Sequence, residues 1–104
     1  MSLNELTAHA VDELLRSRKA VLVDVREPNE YAAARIPGAL LFPLSSFDPK
    51  ALPSPEGCDI VFHCAGGKRS ATAVARCLEQ GIAHTSHMAG GIQAWHVAGL
   101  PVIK

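Results

Sequence analysis

Asp59-Ile60-Val61-Phe62-His63-Cys64-Ala65-Gly66-Gly67-Lys68-Arg69-Ser70-Ala71-Thr72-Ala73-Val74-Ala75-Arg76-Cys77-Leu78-Glu79-Gln80-Gly81 is the stretch whose reading decides the fold. Residues 59–63 form a short apolar run with β-branched members, the pattern of a buried strand. From Ser70 to Gln80 apolar residues recur at 71, 74, 75 and 78, which predicts an amphipathic helix. Gly81 suits a left-handed stop. Between strand and helix, Gly66 and Gly67 let the backbone curl until successive N–H groups converge, and the helix start adds free donors. Lys68 and Arg69 add positive charge. A thiol at the strand end, Cys64, should ionise more readily there than a free cysteine, so the arrangement suits a sulfur nucleophile. A lone cysteine at a strand end is by itself more often a small buried hydrophobe. The glycine pair, the two cations and the following helix tip the reading toward chemistry.

Two other loop chemistries fail on spacing. A phosphate-binding P-loop needs glycine at position 62 and Ser or Thr directly after the lysine, where Phe62 and Arg69 stand. No Cys-x-x-Cys pair occurs anywhere in the chain.

Working outward, Ala20-Val21-Leu22-Val23-Asp24-Val25 is nearly continuous in apolar character, as in a strand covered on both faces. Upstream, residues 7–18 predict a short helix capped by Thr7, with Val11, Leu14 and Leu15 on one side. Residues 28–34 predict a helix with Pro28 in its first turn, ended by Ile36-Pro37-Gly38. Residues 39–43 read as a short strand and 48–57, with prolines at 49, 53 and 55, as a connection. Residues 83–88 read as a strand, Ala89-Gly90-Gly91 as a tight loop, and residues 92–97 as a last helix ended by Gly99 and Pro101. Strands alternating with helices imply an α/β fold of right-handed βαβ units, a mainly parallel sheet with helices on both faces. Ligands in such sheets sit beyond the carboxyl ends of the strands, where Cys64 lies.

The motif Cys64-x-x-Gly67-x-Arg69-Ser70 resembles the active-site loop of the rhodanese family of single-domain sulfurtransferases. Further matches follow in the family's order: Leu22-Val23-Asp24-Val25-Arg26-Glu27, then Glu30-Tyr31 with Ile36-Pro37-Gly38-Ala39, then Gly90-Gly91 with Trp95, Gly99 and Pro101. The resemblance spans nearly the whole chain and implies one rhodanese-like domain over residues 1–104. It implies a sulfane sulfur moved from thiosulfate or a persulfide donor to cyanide or a thiol acceptor, through a persulfide on Cys64. Ala65, Gly66, Gly67, Lys68, Arg69 and Ser70 would then bind the substrate. Asp24 and Arg26 would support the loops at the same sheet end; an ion pair that only fixes the turn is an equal alternative. The resemblance also allows an acceptor thiol on a partner protein, and implies no cofactor and no metal. Two departures stand out. Many relatives carry Gly-His where this chain has Ala34-Arg35, and a basic residue where it has Ala65.

Two rival functions fit parts of the pattern. Cysteine-based phosphatases and arsenate reductases also place a glycine loop between cysteine and arginine, but with five intervening residues; here there are four. A sulfur-relay or non-catalytic module docking on a partner enzyme is the other.

Composition bounds the remaining possibilities. At 104 residues, 48% of them hydrophobic, the chain suits one globular core. Its zero formal charge gives no electrostatic reason to expect nucleic acid or an anionic membrane surface. No apolar run approaches the ~20 residues of a membrane span, and Met1-Ser2-Leu3-Asn4-Glu5 lacks the basic and apolar regions expected of a signal peptide. Three cysteines without framework spacing suggest a reducing compartment, hence a cytoplasmic location. Cys77 reads as a helix packing residue, Cys58 as part of a connection, Trp95 as a core anchor. His63, His84, His87 and His96 match no metal-ligand spacing, and His63 and Cys64, as strand neighbours, should face opposite sides of the sheet.

Overall fold

The computed structural model describes residues 3–53 and 56–104. Positions 54–55, part of the expected connection, lie outside the described residues, as do the first two residues of the N-terminal reading. Five strands, β1 (Asn4–Leu6), β2 (Ala20–Asp24), β3 (Leu40–Leu41), β4 (Asp59–His63) and β5 (Ser86–Met88), form one sheet in the order β1-β5-β4-β2-β3. All its strand pairings are parallel. Four helices connect and cover them: α1 (Ala8–Arg16), α2 (Pro28–Ala33), α3 (Lys68–Glu79) and α4 (Gly91–Val97).

The two-residue alternation of the central strands divides the core in two. Ala20, Leu22 and Val61 point to one face and pack with Val11 of α1, Met88 and Trp95 of α4. Val23, Val25, Ile60, Phe62 and Cys64 point to the other and pack with Ala73, Val74 and Cys77 of α3. This is the expected sheet with helices on both faces. His63 and Cys64 do fall on opposite sides. The Trp95 indole anchors the first layer and donates its N–H to the Pro101 carbonyl at 2.7 Å, so its polar edge is not stranded in the core.

Local signals explain the helix ends. Thr7 caps α1, its hydroxyl accepting from the Ala10 N–H at 3.1 Å. At the end of α3 the Ile82 N–H reaches the Cys77 carbonyl and the Gly81 N–H the Leu78 carbonyl, a Schellman stop with Gly81 at φ 73°.

Several sequence expectations need correction. β1 was not expected, because Asn4-Glu5-Leu6 lacks an apolar pattern; it exists through pairing with β5 at the far end of the chain. α3 starts at Lys68 rather than Ser70, so both cations occupy its first turn. Its buried side runs through Ser70, Ala73, Val74 and Cys77, while Ala75 is exposed. The connection expected over 48–57 contains a 3-10 turn at Pro49–Ala51, preceded by another at Leu44–Ser46. The strand expected over 83–88 is regular only from Ser86.

Candidate active site

Cys64 ends β4 at the carboxyl edge of the sheet and is 1% exposed. Two N–H donors and one hydroxyl of its own loop surround the sulfur. The Gly67 N–H lies 3.1 Å from Sγ, the Ser70 N–H 3.4 Å, and the Ser70 hydroxyl oxygen 3.7 Å. Burial alone pushes the thiol up. The Ser70 N–H, the Ser70 hydroxyl and the Gly67 and Gly66 N–H groups together outweigh it and hold Cys64 below the ordinary thiol value. A site built this way favours negative charge on sulfur, or on an atom bonded to it.

The loop takes this shape because it is gripped from outside. Gly67 sits at φ 110°, a conformation that suits glycine and that caps α3. The carbonyls of Cys64 and Ala65 turn away from the sulfur and accept the N–H groups of Ile92 (2.8 Å) and Gln93 (3.2 Å) in the first turn of α4. Gly91 permits that approach: a Cβ there would sit 2.2 Å from the Cys64 carbonyl oxygen. Those orphan helix donors and the loop's carbonyls satisfy one another.

The two cations part company. Lys68 is exposed and has no side-chain partner among the described residues. Arg69 is paired: its guanidinium makes a two-pronged bond with Glu30 of α2, at 2.6 and 3.0 Å. The Arg69 hydrogen bond holds the Glu30 carboxyl down to about 2. Glu30 also accepts from the Glu27 N–H at 3.0 Å, so the pair ties the first turn of α3 to that of α2.

Asp24 and Arg26 lie beside the loop, with Asp24 opposite His63 in the β2–β4 ladder. Both are buried. The Asp24 carboxylate accepts the Arg26 backbone N–H and three contacts from its guanidinium, at 2.8 to 3.1 Å. Arg26 also donates to the Ala34 carbonyl at 2.7 Å, holding the end of α2. The pair therefore links the end of β2 to the end of α2, and neither residue hydrogen-bonds to the sulfur.

Sequence reasoning missed two residues. His87 of β5, 2% exposed, places Nδ1 2.7 Å from the Ser70 hydroxyl, and its Nε2 lies 3.2 Å from Glu5 of β1. The available signal was a histidine within the short strand leading to Gly90-Gly91; its partner lies 82 residues away in the chain. Among the described residues no group of three or more His, Cys, Asp or Glu could hold a metal ion. No helix there is long and apolar enough to cross a membrane.

With this geometry in view, the relatives fall into place. The rhodanese-like domain model matches residues 7–98. A sulfurtransferase of Allochromatium vinosum is 35% identical over 96% of this chain and 94% of its own. An uncharacterized Synechocystis protein, slr1261, is 37% identical over 90% of this chain, which spans only about half (52%) of that relative. Among solved structures, a thiosulfate sulfurtransferase from Pseudomonas aeruginosa superposes with a TM-score of 0.84 at 28% identity, over 97% of this chain and 20% of that one. The chain belongs to the rhodanese family.

Proposed function

We propose that this domain is a sulfurtransferase that carries sulfane sulfur as a persulfide on Cys64. The observation that carries the reading is the convergence of the Gly67 N–H, the Ser70 N–H and the Ser70 hydroxyl on a buried sulfur. In the first step the Cys64 thiolate attacks the outer sulfur of thiosulfate. The sulfur–sulfur bond of the donor breaks, and its electron pair leaves with sulfite. Cys64 then bears S–S⁻, held by the same inward amides. In the second step cyanide or a thiolate attacks the terminal sulfur, and the bond to Cys64 breaks with its electrons returning to Cys64. A persulfide donor or a thiol on a partner protein fits the same two steps. No cofactor takes part in this scheme, and the free thiols of Cys58, Cys64 and Cys77 suit a reducing, cytoplasmic setting.

Ala65, Gly66, Gly67 and Ser70 shape the pocket, Lys68 attracts anionic donors, and Arg69 braces the loop through Glu30. That last point also weighs against the phosphatase reading. An arginine already engaged by a carboxylate is not offering its fork to a phosphate.

The test is intact-mass analysis. After brief exposure to thiosulfate the protein should gain one sulfur atom on Cys64, and cyanide should remove it. Cys64→Ser should take up none and lose activity by on the order of a thousandfold or more, while still folding. Hydrolysis of an aryl phosphate through Cys64, with no sulfur adduct from any donor, would overturn the proposal.

A further inference from the structure

We propose that Ser70, His87 and Glu5 form a proton relay between the buried Cys64 sulfur and solvent, with His87 holding the proton while Cys64 is a thiolate. The proposal rests on reading Cys64 as the nucleophile.

The need for a relay follows from the cage itself. Gly67 and Ser70 offer the sulfur backbone N–H groups, which stabilise a thiolate but cannot accept its proton. Among the described residues, the hydrogen-bond acceptor that the thiol reaches is the Ser70 hydroxyl oxygen, at 3.7 Å. From there the path is continuous. Ser70 Oγ lies 2.7 Å from His87 Nδ1, and His87 Nε2 lies 3.2 Å from a Glu5 carboxylate oxygen. Cys64 and His87 are 1% and 2% exposed, whereas the Glu5 side chain is 63% exposed. A buried sulfur thereby reaches water through three side chains.

Four elements assemble it. The parallel register sets Glu5 of β1 directly opposite His87 of β5. Ser70 is in the first turn of α3, and Cys64 ends β4. A proton on Nε2 directed at Glu5 leaves the Nδ1 lone pair facing Ser70, the tautomer a proton acceptor requires. As the S–H bond breaks, its proton bonds to Ser70 Oγ, and the original hydroxyl proton passes to Nδ1. The products are a thiolate and an imidazolium; no electrons are transferred between residues, and net charge is conserved. The transfer requires the Ser70 hydroxyl proton to turn to Nδ1 from its alternative partner, the Gly67 carbonyl at 3.1 Å. Afterwards Nδ1–H donates to Ser70 Oγ, and the proton that Ser70 received from the sulfur hydrogen-bonds back to the thiolate. Glu5 offsets the imidazolium charge. Other charges near the loop are the self-compensating Arg69–Glu30 pair and exposed Lys68. The logic is that of a nucleophile, a base and an orienting carboxylate, with a hydroxyl inserted between the first two.

Alkylation of Cys64 by iodoacetamide tests the relay without involving sulfur transfer. Rates would be measured from about pH 6 to about pH 10 in a Cys58→Ser background, with the adduct located by mass. His87→Asn keeps a polar side chain but cannot hold the proton. It should alkylate about tenfold more slowly at neutral pH and converge on the parent rate at high pH, where solvent hydroxide does the work. Glu5→Gln, at an exposed position that does not put the core at stake, should slow neutral-pH alkylation roughly twofold to threefold with the same convergence. Unchanged profiles in either variant would overturn the relay. So would a loss in His87→Asn that is equal at all pH, which would mark the histidine as a strut. Parent protein that shows the expected profiles but takes up no sulfur would sink the sulfurtransferase reading and leave the relay standing.

Discussion

Two histidines flank the same strand end, and their surroundings differ in one decisive respect. His63 on β4 and His87 on β5 are both buried and each has a carboxylate beside it. His63 is enclosed: its Nε2 is 3.5 Å from Asp24, makes no hydrogen bond, and its neighbours Asp24 and Arg26 satisfy each other. Burial pushes its pKa down more strongly than Asp24 pushes it up. His87 has a hydroxyl on one nitrogen and a solvent-exposed carboxylate on the other. A buried polar cluster with no exit can only hold structure; one with an exit can exchange protons.

Breaking the enclosed cluster should have the largest effect on stability. Asp24→Asn leaves the Arg26 guanidinium buried without its counter-charge, a loss of about 3–5 kcal/mol. Urea unfolding should show it as a lower midpoint, while activity per folded molecule stays within about twofold. A variant that remained stable but lost sulfur transfer would reverse the division drawn between the two clusters.

The two loop cations sharpen the contrast at smaller scale. Lys68→Ala should weaken use of thiosulfate by about fivefold, on the order of 1 kcal/mol, with little effect on an uncharged persulfide donor. Arg69→Ala should instead impair both donors alike, because it frees Glu30 and loosens the bond between α3 and α2. Steady-state kinetics with both donors separates the two outcomes.

Smallest of all should be the acid titration of that surface pair. Glu30 titrates near 4.5 when unperturbed and at about 2 in the folded protein. Its folded value is depressed, so its contribution is complete above about pH 4.5 and is lost as pH falls toward about 2. The pair is about one-third exposed, so solvent screening leaves only a fraction of a kcal/mol. The difference in unfolding midpoint between the parent and Glu30→Gln should therefore shrink over that window and persist above it.

The central layer was legible in the sequence because its evidence is local. The apolar run at 20–25, the strand–glycine–helix order around Cys64 and the stop at Gly81 each lie within a few residues. What escaped depends on partners far along the chain. Glu5 has no pattern of its own and becomes a strand residue through β5. Arg69 reads as a free cation until α2 brings Glu30 against it, 39 positions away. His87 reads as an ordinary strand histidine until Ser70 and Glu5 close around it. Ion pairing and hydrogen bonding across elements carry no periodicity, so no window along the chain exposes them.

The grip of α4 on the loop also bears on how far the motif can travel. Transplanted as residues 64–70 into another strand–helix turn, it would bring the cysteine, the glycines and the serine, but not the amides of Ile92 and Gln93 that turn the Cys64 and Ala65 carbonyls outward. Without them those carbonyls are free to swing toward the sulfur, presenting lone pairs where the native loop presents N–H groups. The graft would then raise the thiol's pKa, and a persulfide formed on it would meet repulsion. An engineer wishing to move this chemistry must carry a second loop, Gly90-Gly91-Ile92-Gln93, as part of the same unit.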